Sequence, residues 1–206
     1  MAVKKRRRVK KIYIVILGLV LLIFLGSKVI FKNNNTTEKV KVTDKIEEYG
    51  YVLNDNETKY YKKLFNSLKK ELSNEKVNEE EYAKLIAQLF VTDFFNLDNK
   101  ENKNDIGGTQ FVYTDFQSDF EKLAKDSIYK SIENDMYSSR EQELPIVANT
   151  EVITVEKISY EYLNNTDSEA YEITIEIEYK KDLEYQDKCT IILVHSNNKL
   201  EIVKMM

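Results

Sequence analysis

The chain has 206 residues with 31 basic and 35 acidic side chains, one cysteine and one histidine. A single cysteine excludes an intrachain disulfide, and a single histidine excludes the usual multi-histidine metal centres. Nine of the basic residues and none of the acidic ones fall within residues 1–32, which leaves the remainder at −13 and ill-suited to nucleic acid.

The basic cluster comprises Lys4, Lys5, Arg6, Arg7, Arg8, Lys10 and Lys11. An apolar run, "IYIVILGLVLLIFLGSKVIF", follows from Ile12 to Phe31, with Lys28 its only charge. Twenty helical residues at about 1.5 Å each span roughly 30 Å, the hydrocarbon thickness of a bilayer. A cleaved signal peptide is the competing reading. The Gly26-Ser27-Lys28 region matches a small-residue cleavage site poorly, and the run is long for such a peptide. An uncleaved anchor is therefore expected. Basic flanks stay cytoplasmic, so residues 1–11 form a cytoplasmic tail that attracts anionic membrane lipid, and the acidic remainder is extracytoplasmic.

Residues 32–54 are polar and read as a linker, with a short ordered piece around Val40–Tyr49 as the alternative. The spacing of Tyr61, Leu64, Phe65, Leu68 and Leu72 predicts a first amphipathic helix starting near Asn54 or Asp55. Asn78, with Glu81 three residues on, has capping-box spacing ahead of a second helix, "EEEYAKLIAQLFVTDFF". A polar loop then leads to Gly107-Gly108. A third helix is expected beyond it, capped at Thr114 or Ser118, with Phe116, Phe120, Leu123, Ala124, Ile128 and Ile132 as its apolar stripe.

After Pro145 the period changes from 3.6 to 2. "EVITVEKISYEYL" is a strand whose apolar phase slips, the mark of a β-bulge or bend. "AYEITIEIEYK" alternates cleanly, with Tyr171, Ile173, Ile175, Ile177 and Tyr179 on one face. Two more short strands follow across tight turns, giving an antiparallel meander. Helices followed by a sheet with one apolar face make one α+β domain over residues 55–206, about three helices on a curved four-stranded antiparallel sheet.

That element order resembles the cone-shaped fold of nuclear-transport-factor-two-like proteins. The short basic tail, single span and outer domain resemble the bitopic scaffold proteins of type IV secretion and conjugation machines. The resemblance rests on architecture and not on a diagnostic motif, so it transfers no functional residue. It implies a non-enzymatic scaffold that assembles with other envelope proteins or with further copies of itself, and it places a small strand at Gln110–Tyr113. The excess of Lys, Asn, Ile, Tyr and Glu fits an AT-rich bacterial genome.

No catalytic, cofactor-binding or metal-ligating constellation stands out. Gly107-Gly108 lacks the Gly-Lys-Ser/Thr end of a phosphate loop and the third glycine of a dinucleotide loop, and reads as a constrained turn. His195 reads as a strand-end histidine; Cys189 shares its parity but makes only a weak pair. The interaction candidates are the acidic stripe Glu172, Glu176 and Glu178 on the wet side of the sheet, and Tyr113, an aromatic that fits no stripe. A second expectation is a ligand-binding or sensory module using a pocket inside the domain.

Overall fold

A computed structural model describes residues 40–135 and 139–206. The basic tail and the apolar run Ile12–Phe31 lie outside the described residues. Among those described, no helix is long and apolar enough to cross a membrane.

Residues 40–206 form one compact unit. It opens with a hairpin, β1 (Val42–Ile46) and β2 (Tyr51–Asn54), within the stretch that reads as linker. The hairpin holds because three of its apolar residues are anchored in the core. Ile46, Tyr51 and Leu53 are buried, and Gly50 turns the chain with φ of 70°. The Tyr51 hydroxyl lies 2.7 Å from that of Tyr82, and the Gln110 amide bonds both the N–H and the C=O of Val52. A polar sequence with one well-anchored tyrosine reads as linker until its partners are known.

Helix α1 (Lys59–Leu72) buries the expected stripe Tyr61, Leu64, Phe65, Leu68 and Leu72. It starts later than Asn54 because that residue ends β2, and the Thr58 hydroxyl accepts the Tyr61 N–H as the cap. Helix α2 (Glu79–Phe95) is capped by Asn78, whose side chain accepts the Glu81 N–H at 3.2 Å. The reciprocal half of a capping box is taken by another residue: Glu71, from the end of α1, accepts the Asn78 N–H at 2.6 Å. Beyond its first turn α2 is buried nearly all round, as a helix must be when it lies between another helix and a sheet.

Helix α3 (Gln117–Asp126) is shorter than its stripe predicts and lacks a side-chain cap at Thr114 or Ser118. Ser127 bonds back to the Leu123 carbonyl and ends it. Tyr129 is then carried inward, where its hydroxyl donates to the Phe94 carbonyl at 2.7 Å. Leu123, expected in the core, is 69% exposed. The expected strand at Gln110–Tyr113 is a 3₁₀ turn, Thr109–Phe111, followed by one parallel bridge from Val112 to Ile202.

The sheet is a meander in the order β3 (Val147–Tyr162), β4 (Asn165–Tyr179), β5 (Lys188–Ser196), β6 (Lys199–Met205), antiparallel throughout. The phase slip in β3 is real: the β3–β4 register shifts between Val147 and Asn149, Val152 and Thr154, and Ile158 and Tyr160. Tyr171, Ile173, Ile175 and Ile177 are buried as the alternation requires, and α2 packs against β3 and β4. Among the described residues, the α+β class, three α-helices and a four-stranded antiparallel sheet thus follow from the pattern of the chain.

Candidate functional site

Gly107-Gly108 sits against α2 and binds inward. A Cβ on Gly107 would lie 2.3 Å from the Asp93 carbonyl oxygen, and one on Gly108 would lie 2.7 Å from the Phe90 ring. Gly108 also has φ of 78°. Its N–H donates to Asp93 Oδ2 at 2.7 Å, while the Gly107 N–H donates to the Tyr129 hydroxyl. The pair is therefore the point where loop backbone touches helix backbone. The other oxygen of Asp93 takes the ammonium of Lys100 at 2.5 Å, with Lys100 4% exposed. Burial works against the charge on Lys100, but Asp93 outweighs it and raises its pKa. Burial and the Asp93 charge push the nearby Glu57 up to about 8, so that it holds its proton at neutral pH. Two acids, one lysine and buried tyrosines make a structural polar network, closed by Arg140, which donates to the carbonyls of Lys100 and Asp98.

An apolar groove of about 420 Å³ lies between α3 and the edge strand β6. Phe90 and Phe94 form its floor, stacked at 5.6 Å, and Phe120 packs on both. Leu123 and Met205 line its rims, and among the described residues its charged lining residues are Asp119 on α3 and Lys204 on β6. This arrangement can bind apolar matter.

His195 is better connected than a strand-end histidine. Its Nδ1 faces Asp167 Oδ2 at 2.8 Å and its Nε2 faces Glu79 Oε1 at 2.9 Å. The Tyr171 hydroxyl donates to the other Glu79 oxygen, and Lys157 lies 3.7 Å from it. Burial depresses the pKa of His195, but the two carboxylates outweigh it and raise it. Burial likewise opposes ionisation of Asp167 and Glu79, but their hydrogen bonds outweigh it and lower both. The cluster staples the start of α2 to the sheet. It lies on the surface, and among the described residues no group of three or more His, Cys, Asp or Glu is placed to hold a metal.

The acidic stripe lies on the wet face of β4, with Glu172 half-buried and Glu176 and Glu178 exposed. Glu172 stands directly opposite Glu156, and Glu176 opposite Glu151. Tyr113 is half-buried, its ring 5.4 Å from Phe116 and 5.3 Å from Tyr162. Its N–H caps the Ile202 carbonyl on the edge of β6. Tyr162 in turn reaches the His195 region, its hydroxyl donating to the His195 carbonyl at 3.5 Å. The seven basic flank residues lie outside the described residues. Sequence reasoning passed over the carboxylates that frame His195, because Glu79 precedes it by 116 positions and Asp167 by 28. It also passed over the groove, whose rim residues have no common period.

The chain matches no family model, no curated protein and no solved structure.

Proposed function

We propose that this is a membrane-anchored extracytoplasmic interaction protein of a bacterial envelope complex, of the kind found in conjugation or type IV secretion. The reading is carried by the groove between α3 and β6. It is mostly apolar and flanked by a sheet edge, the character of a surface that contacts another molecule. The basic flank and the apolar run at Ile12–Phe31 supply the anchor, with the N-terminus in the cytoplasm and the cone-like domain outside. The acidic stripe gives a second surface for a basic partner.

The test is site-specific photo-crosslinking in cells, with photoreactive residues at Leu123 in the groove and Glu176 on the stripe. The expected result is membrane-fraction adducts to other envelope proteins, lost when residues 12–31 are deleted. A chain that fractionates as soluble, with no adduct to another protein at either position, refutes the proposal. A ligand-binding module is the second reading, because the groove has the size of a small-molecule site. It requires an apolar small molecule to raise the melting temperature.

A further inference from the structure

The buried Lys100–Asp93 pair has the parts of a bond-forming site as well as those of an ion pair. Lys100 Nζ lies 2.5 Å from Asp93 Oδ1, with Lys100 4% and Asp93 8% exposed. Among the described residues that oxygen is the one hydrogen-bond acceptor of a group with three donors. An ammonium buried with two donors unanswered is costly. Asp93 is held at its other end, where Oδ2 accepts the Gly108 N–H at 2.7 Å, and its backbone is fixed in α2. The carboxyl group thus has one oxygen against an amine and the other against a backbone donor, the layout of a carbonyl open to attack beside an oxyanion donor. Glu57 supplies the third part. Asn99, the residue before Lys100, donates its side-chain amide to the carbonyl of Asn56, the residue before Glu57, at 3.3 Å. That bond brings the Glu57 segment alongside the pair. Burial first, and then the Asp93 charge, keep Glu57 protonated at neutral pH against the opposing charge of Lys100.

We propose that Lys100 and Asp93 condense into a side-chain amide, an intramolecular crosslink formed with Glu57 as the proton carrier. The ion pair is the starting state. A proton passes from Nζ to Oδ1 along their contact, leaving a neutral amine against a carboxylic acid. The Nζ lone pair then attacks Cγ, and the Gly108 N–H meets the charge that develops on Oδ2. Glu57 gives its proton to Oδ1 as the Cγ–Oδ1 bond breaks, and takes one back from Nζ. One Nζ–Cγ bond forms, one Cγ–Oδ1 bond breaks, one water leaves, and Glu57 ends as it began. No oxidant or outside reactant takes part. Asp93 favours the charged amine, so the first transfer is uphill and the crosslink accumulates with time after folding. The product replaces two buried charges with a neutral amide, which removes the desolvation that the ion pair bears. It ties the last turn of α2 to the loop that Arg140 closes, whatever the groove contacts.

The test is mass spectrometry of the full chain, purified in detergent, incubated near neutral pH and then denatured. The wild type should weigh less than its sequence by one water. Its tryptic digest should contain a peptide left uncut after Lys100, with the missing water confined to the stretch from Asp93 to Lys100. Lys100→Arg keeps the charge without a usable nucleophile and should show the full mass of its sequence. Glu57→Gln keeps the shape without the proton and should slow formation by about 10²-fold or more. Circular dichroism checks that both variants fold, and the wild-type digest decides the matter if Lys100→Arg does not. A wild type at the full mass of its sequence overturns the proposal. So does a water loss that persists in Lys100→Arg, or one in a peptide cut normally after Lys100, since either marks a cyclic imide at an aspartate. An unchanged rate in Glu57→Gln overturns the role given to Glu57.

Discussion

Removing the His195 imidazole should make stability less dependent on pH on both sides of a window. Each ring nitrogen faces a carboxylate oxygen within 3 Å, so both are donors only when the ring is charged. Two hydrogen bonds to charged groups would contribute about 1.5–3 kcal/mol each if buried. The ring is 37% exposed and Glu79 is 44% exposed, so screening reduces the net to about 1–2 kcal/mol for the pair. The raised pKa of His195 makes this stability fully present below its unfolded value near 6.5, and lost as pH rises through the folded value. The lowered values of Asp167 and Glu79 make it present above the ordinary carboxylate range, and lost as pH falls through theirs. The staple is therefore strongest between about pH 4.5 and 6.5. As the chain has one histidine, its ring C–H resonances report the titration without assignment. Thermal unfolding of the full chain in detergent should show His195→Gln lowering the midpoint by about 2–8 °C near pH 6 and by much less near pH 9. If His195 titrates at or below 6.5, or if Asp167→Asn leaves its titration unchanged, the reasoning fails.

Gly107→Ala should cost at least ~3 kcal/mol and reduce soluble folded yield, because the new methyl meets the backbone of Asp93 and not a movable side chain. Gly108→Ala should be milder, about 1–3 kcal/mol by chemical denaturation, combining positive φ with contact against the Phe90 ring. Asp93→Ala strands the Lys100 ammonium in the interior and should destabilise by about 3–5 kcal/mol, with Lys100→Met in the same chain recovering part of the loss. Glu151→Lys converts a like-charge cross-strand pair with Glu176 into an attractive one, and should raise stability by about 0.2–1 kcal/mol at low salt, an effect that fades as salt is added.

Periodicity carried most of the fold to the surface of the sequence. The α1 stripe, the Asn78 cap, the strict alternation of β4 and the slip in β3 are local patterns, and each became a local structure. An ordered piece near Val40–Tyr49 was legible, but its pairing into the β1–β2 hairpin was not, for a physical reason. Its stability comes from Tyr82 and Gln110, 31 and 58 positions away from the residues they hold, and local propensity is silent about such partners. The same holds for α3. Leu123 has core spacing, but the helix lies at the margin of the domain, so one end of its stripe faces open space. Gly107-Gly108 could be excluded as a phosphate loop from its neighbours alone. Its actual duty, close approach to α2, needed the structure.

The hairpin also has a mechanical meaning. Tension applied at Val40 reaches the domain through β1, whose first residue pairs with the last of β2. Such a load peels the ladder from its open end, one rung at a time, and does not shear all rungs together. The first bonds to carry it are the Asp55 N–H to the Lys41 carbonyl and the Lys41 N–H to the Asp55 carboxylate, each about 3 Å long. The Lys69–Asp44 bridge comes next, and only then the buried Tyr51. A pull from the N-terminal side would thus lengthen the tether at low force, by roughly 3.3 Å per released residue, while the helices and the four-stranded sheet stay intact.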